Sequence, residues 1–228
     1  MGETVRVNRA IGWMLVLSVV LSVGILIAPG VAQATPKVTA HYYLGNHRIK
    51  YYSIAGSKYR NANALMKAYA KAAYATNQDA LSRYDEDRTE DPEVSPDTYY
   101  FKITPHVKYS AGAKMSILYT EGWWLNGPHP DTTYKSFNLY KGKTTTLAKA
   151  FKSKAKFSSA NAKAQKYWRV NWSHEGLYER PDSSETGLAK HEYYWTKKGV
   201  TVIYETYSLG CFADGERRYS VPKSYLKY

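Results

Sequence analysis

The chain has 228 residues, with 32 Lys and Arg against 19 Asp and Glu, for a net charge of +13. Its single cysteine, Cys211, excludes an intramolecular disulfide, so stability must come from packed apolar residues and not from a stapled scaffold. No internal repeat or low-complexity tract interrupts it, and 44% hydrophobic residues are enough for a sizeable core.

Arg6 and Arg9 precede an uncharged run from Ile11 to Ala28, and Ala32-Gln33-Ala34 then offers small residues at the −3 and −1 positions of a cleavage site. This pattern predicts a signal peptide over residues 1–34. If retained, the run would tether the chain, since it is at the short end of the roughly 17 to 25 residues that span a bilayer. The expected address is secreted or cell-wall associated. Two Arg and one Glu leave with residues 1–34, which takes the net charge from +13 to +12. A strongly basic exported protein points to anionic polymers or lipid headgroups of the envelope, or to an acidic partner, before it points to nucleic acid.

Val38 to Tyr43 and Ile49 to Ile54 alternate Tyr, Ile and Val with polar residues around a Gly45-Asn46 turn, which predicts two strands. From Asn61, residues Ala62, Leu65, Met66, Tyr69, Ala72, Ala73 and Thr76 recur at spacings of three and four, predicting an amphipathic helix with Lys67 and Lys71 on its wet side. Asp85 to Asp97 holds seven acids, one Arg and two Pro and reads as a solvated loop. It lacks the Gly and Glu that a calcium loop needs at its sixth and twelfth positions. Setting that net −6 apart from the mature +12 leaves +18 on the rest.

Strands are expected at Thr98 to Ile103, Val107 to Tyr109 and Ala113 to Thr120, with a hairpin at Ser110-Ala111-Gly112, and again at Thr132 to Tyr140. Leu147 to Trp172 reads as mainly helical. It carries Lys149, Lys152, Lys154, Lys156, Lys163, Lys166 and Arg169 without one acid, an anion-facing surface, while Phe151, Phe157, Tyr167, Trp168 and Trp172 read as core. Two more strands, Val200 to Tyr207 and Arg218 to Val221, and a short helical tail at Ser224 to Tyr228 complete the chain. Mixed without regular alternation, these elements predict an α+β fold, a mainly antiparallel sheet packed with two principal helices.

The chemistry-bearing motifs are sparse. His174-Glu175-Gly176-Leu177-Tyr178 has Tyr where a zincin places its second His, and no nucleophile elbow, phosphate loop or dinucleotide fingerprint occurs. Glu121, Asp131, Glu192 and Glu205 are the carboxylates that could pair for glycoside cleavage, a matter of their separation in space. Cys211 reads as a small buried hydrophobe, with pairing between chains as its alternative. His129, in the sharp turn Asn126-Gly127-Pro128-His129-Pro130, either presents a functional imidazole or ties the turn to neighbouring backbone groups. The chain is therefore expected to be non-catalytic, with no metal and no cofactor.

Asn126-Gly127-Pro128-His129-Pro130-Asp131-Thr132-Thr133-Tyr134-Lys135-Ser136-Phe137-Asn138-Leu139 resembles the signature of a bacterial extracytoplasmic domain family. That family includes the outer domain of RsiV, the lysozyme-sensing anti-sigma factor, and a secreted mycobacterial immunogenic protein. Gly142-Lys143 and Thr146-Leu147-Ala148-Lys149-Ala150-Phe151 continue the pattern. Tyr207, Leu209, Phe212, Ala213, Gly215, Val221, Pro222, Ser224 and Leu226 fit its C-terminal hallmark in order. The chain departs from it at Asn126-Gly127-Pro128, usually Gly-Gly-Ala, and at Thr206, often Pro.

The resemblance implies a small N-terminal companion subdomain at 35–97 and an RsiV-like domain at 98–228. It implies ligand binding through His129, Tyr207 and Phe212, beside the basic set Lys149, Lys152, Lys163, Lys166 and Arg169. The expected partner is a cell-wall polymer or an extracellular protein, lysozyme-like proteins included, although two strongly basic proteins repel one another. An envelope enzyme acting on peptidoglycan is the alternative.

Overall fold

Strand-forming Tyr, Val and Ile set the first elements of the computed structural model, which describes residues 35–177, 179–182 and 184–228. The expected signal peptide lies outside the described residues. β1 (Val38–Tyr42) and β2 (Lys50–Ile54) form an antiparallel hairpin, closed by a 3-10 turn at Tyr43–Gly45. A parallel bridge from Ile49 to Ile103 ties the hairpin to the next sheet.

α1 spans Arg60–Glu90 and buries Ala62, Met66, Ala70, Ala73, Asn77 and Ala80. This corrects the expected face: Ala72 and Thr76 are exposed and Leu65 is 48% exposed. A stripe of alanines lets the helix axis approach the sheet, and larger Leu65 is left outside. The acidic segment is also corrected, because α1 continues through Asp85 to Glu90. Its acids remain in water, but Tyr84 packs on Tyr99, the Tyr99 hydroxyl donates to Asp87, and no helix breaker intervenes before Pro92.

The central sheet has the order β3 (Tyr99–Ala111), β4 (Lys114–Leu125), β5 (Asp131–Tyr140), β6 (Lys143–Thr144), all antiparallel. The two strands expected on either side of Pro105 are one strand, irregular in register between Val107 and Tyr109. β3 tolerates this proline because only the isolated bridge at Ile103 borders its outer side.

The expected long basic helix is two, α2 (Leu147–Ala150) and α3 (Lys154–Asn171). Phe151 breaks it by bridging to Leu226 and by its burial, and the Ser153 hydroxyl caps α3 by accepting from the Lys156 N–H at 3.2 Å. A second sheet has the order β7 (Glu192–Thr196), β8 (Gly199–Tyr204), β9 (Arg217–Pro222). β7 had no counterpart in the sequence reading, β8 ends three residues before Tyr207, and the tail is one 3-10 turn at Lys223–Tyr225.

The described residues are α+β, three antiparallel sheets with two principal helices, and they form one compact unit. One core joins the hairpin and α1 to the central sheet through Ile49, Ile54, Met66, Ile103 and Ile117, crossing residue 97. The other joins α2 and α3 to the second sheet through Phe151, Ala160, Trp168, Trp195 and Val202. The aromatic expectations hold: Phe151 and Trp168 are buried, and Phe157, Tyr167 and Trp172 pack against them.

Between the cores lies a polar link. Buried Ser116 donates to Asn138 Oδ1 at 2.5 Å and accepts from the Trp195 N–H at 2.8 Å, while Asn138 Nδ2 donates to Tyr193 O at 2.6 Å. β4 is thus buried on both faces, and its polar residue is spent on holding β7. Among the described residues no helix is long and apolar enough to cross a membrane.

Candidate functional site

Two loops at the end of the central sheet bring His129, Tyr207 and Phe212 together. The first leaves β4 at Leu125 and turns through Asn126, which has φ 55°. It is fastened by the Asn126 N–H to Thr98 O at 3.0 Å and by Trp124 Nε1 to Gly127 O at 2.7 Å. Pro128 and Pro130 flank His129 and stiffen its backbone.

The second loop joins β8 to β9 and is built on Asp214. Its buried carboxylate accepts from the Cys211 N–H at 2.8 Å, and the Asp214 N–H returns a bond to Cys211 O at 3.1 Å. Leu209 anchors the loop in the second core, and Gly215 turns out of it at φ 62°. Cys211 therefore starts a 3-10 turn and is exposed, contrary to the expectation of a buried hydrophobe. Its N–H bonds the Asp214 carboxylate and its sulfur accepts from the Asp214 N–H, a reciprocal pairing made at the surface and not in the core.

Tyr207 sits at φ 69°, a left-handed conformation unusual for an aromatic residue, and is 54% exposed. Its hydroxyl is 3.3 Å from His129 Nε2. The His129 ring stacks on Phe212 with centroids 3.5 Å apart and planes at 18°, and Tyr207 lies 5.8 Å from Phe212. His129 Nδ1 also stands 3.4 Å from Pro130 O, so the imidazole both ties its own turn and faces the other loop. The three rings form an aromatic platform in which Tyr207 and Phe212 are exposed and His129 is half-buried, with a hydroxyl at its edge, suited to stacking against sugar rings or apolar side chains.

The basic residues occupy a different surface. Lys163, Lys166 and Arg169 stand on the side of α3 away from buried Ala160, Ala164 and Trp168, while Lys149 lies on α2 and Lys152 in the break. Lys163 and Lys156 both lie over the Tyr225 ring, at 5.3 and 5.6 Å. A bond to the Tyr225 oxygen raises the Lys163 ammonium pKa and lowers that of the phenol. Tyr225 is thus a member of the basic surface that sequence reading missed. Lys149, Lys154 and Lys227 rim a hollow of about 310 Å³ floored by Phe151 and Phe157. Among the described residues no ring contact or hydrogen bond joins this surface to the aromatic platform.

The four carboxylates do not form an open pair. Glu121 accepts from the Tyr69 hydroxyl and from Thr133 Oγ1 at 2.7 Å. Glu192 accepts from the Ser136 N–H at 3.0 Å and from Lys135 Nζ at 2.8 Å, and Glu205 accepts from the Tyr134 N–H at 2.8 Å. Asp131 opens β5 opposite Trp123. Glu192 and Glu205 thereby occupy the edge amides of β5 that β6 does not reach. Burial raises the pKa of Glu205, and nearby Glu121 and Glu192 add to it. The Tyr69 phenol is pushed far up by burial and by its bond to Glu121. Among the described residues no group of three or more His, Cys, Asp or Glu is placed to hold a metal ion.

No family model and no curated protein matches the sequence. Solved structures do. A DUF3298 family member from Bacteroides fragilis is 15% identical with a TM-score of 0.55, over 85% of this chain and 92% of that one. A DUF3298 family protein from Pseudomonas aeruginosa is 12% identical with a TM-score of 0.49, over 86% and 94%. At such identities the Bacteroides likeness is one of architecture: the chain is similar in fold to a DUF3298 family protein over most of both lengths.

Proposed function

We propose that this protein is an exported, non-catalytic binding module of the RsiV-like kind, which holds an anionic envelope polymer carrying sugar rings. The observation that carries this reading is the convergence of His129, Tyr207 and Phe212 from two loops into one exposed, rigidly held platform. The helices α2 and α3, which carry no acid of their own, supply the attraction for an anionic chain, and the platform supplies stacking. Three of the four candidate carboxylates, Glu121, Glu192 and Glu205, are engaged by protein donors, which is why binding is favoured over hydrolysis.

The test is retention of residues 35–228 on purified cell wall at low and high salt. Exposed charge attraction is screened over about 8 Å at physiological ionic strength, so retention falls as salt rises. Reversing Lys163 and Lys166 to Glu weakens it further, and Phe212→Ala weakens what salt leaves. Retention indifferent to salt would remove the anionic polymer. A second reading rests on Tyr207, exposed where the resemblance implies contact with a lysozyme cleft. Tight inhibition of lysozyme by the pure protein, lost in Tyr207→Ala, would replace the polymer with that partner.

A further inference from the structure

The tip of the β1–β2 hairpin makes two unfavourable choices at one position. Leu44 is 76% exposed, the most exposed large apolar side chain among the described residues, and its backbone is left-handed at φ 48° and ψ 32°. A turn needing only to turn would use glycine there, as it does at Gly45 with φ 75°. The conformation is firmly held: the Tyr43 N–H donates to Ile49 O at 2.9 Å, the Asn46 N–H to Tyr43 O at 2.9 Å, and the Arg48 N–H to Asn46 Oδ1 at 2.8 Å. Ile49 is fully buried, and Tyr43 packs on Tyr74 of α1. The tip is therefore rigid, and it aims a leucine at solvent.

The hairpin that carries Leu44 also carries aromatic rings and cations. Tyr42 is 45% exposed, with the His47 ring 4.9 Å away and Lys50 Nζ 6.0 Å from its centroid. Arg48 lies over Tyr100 at 5.7 Å and donates to Tyr99 O at 3.3 Å. Residues 35–78 hold seven Lys and Arg and no acid at all. An exposed leucine on a hairpin that carries Tyr and cations and no acid matches the boundary between acyl chains and anionic headgroups.

We infer that this hairpin tip docks on an anionic lipid surface, Leu44 and Tyr42 entering the interface while Arg48 and Lys50 meet headgroup phosphates. The inference uses none of the residues proposed to hold the envelope polymer, so either can fail alone.

Residues 35–228 contain both cores and are the protein to test, by sedimentation with vesicles of phosphatidylcholine alone or mixed equally with phosphatidylglycerol. The protein sediments with the mixed vesicles and not with phosphatidylcholine. Leu44→Gly lowers that partition about tenfold without lowering the thermal midpoint, because glycine adopts the turn freely. Arg48→Glu with Lys50→Glu abolishes it. Failure of the wild type to bind the mixed vesicles, or undiminished binding by Leu44→Gly, overturns the inference. Loss of vesicle binding only on reversing Lys163 and Lys166 overturns it too, by assigning the contact to α3. If Leu44→Gly loses retention on delipidated envelope protein while binding vesicles normally, the tip meets a protein and the lipid assignment falls.

Discussion

A Cβ built on Gly210 would stand 1.9 Å from Oδ2 of Asp214, the atom that accepts the Cys211 N–H. The loop carrying Tyr207 and Phe212 thus depends on a missing side chain at one residue and a buried carboxylate four residues on. Gly210→Ala must displace Asp214 or the backbone, and it is expected to cost about 2 kcal/mol. Urea denaturation measures the loss. Full stability in that variant would mean that the loop does not close on Asp214.

The link between the two cores gives a second prediction. Asn138→Leu removes the donor to Tyr193 O and the acceptor of the Ser116 hydroxyl, both away from water. A buried group left unpaired costs about 1 to 3 kcal/mol, so the variant is expected to lose at least 2 kcal/mol. Ser116→Ala leaves the Trp195 N–H without its acceptor and loses about 1 kcal/mol or more. Because the two side chains bond to each other, the double variant loses less than the sum of the singles. Simple additivity in denaturation would show that Ser116 and Asn138 hold β7 independently.

Local signals were legible in the sequence and long-range partnerships were not. The hairpin around Gly45-Asn46, the strand to Tyr140 and the aromatic core of α3 follow from periodicity and turn residues within short windows. The family pattern grouped His129, Tyr207 and Phe212, which composition alone does not connect. The buried stripe of α1 was misread because Leu65 outranks Ala70 and Ala80 in hydrophobicity, whereas distance to the sheet selects the small residues. β7 escaped because Glu192 looks like a solvent residue, yet its carboxylate caps Ser136 in another sheet. Exposure of Cys211 follows from the demand of Asp214 for a backbone donor, which no cysteine statistic encodes.

Tyr207 separates binding from folding. At φ 69° any side chain is strained, and glycine is not. Tyr207→Gly is expected to leave the thermal midpoint unchanged or slightly raised, while removing the hydroxyl 3.3 Å from His129 and one ring of the platform. Retention on cell wall at high salt should then fall several-fold, since a stacked aromatic contributes about 1 kcal/mol beyond its area. Unchanged retention would exclude Tyr207 from the contact and leave its strained backbone without a functional account.

Glu205 gives the protein a pH dependence whose sign is fixed by its surroundings. Burial raises its pKa above the ordinary 4.5, Glu121 and Glu192 add to the rise, and the Tyr134 N–H and Lys135 oppose it. The folded state therefore binds this proton more tightly than the unfolded chain does. Stability from Glu205 is full below pH 4.5 and is lost as pH rises through the folded value. Glu205→Gln keeps an oxygen to accept the Tyr134 N–H and carries no charge. Its thermal midpoint should match that of the wild type in acid and exceed it at neutral pH, with the gap opening upward from about 4.5. If the Gln variant instead melts lower at neutral pH, the ionised carboxylate is worth more to the β5 edge than its burial beside two other acids costs.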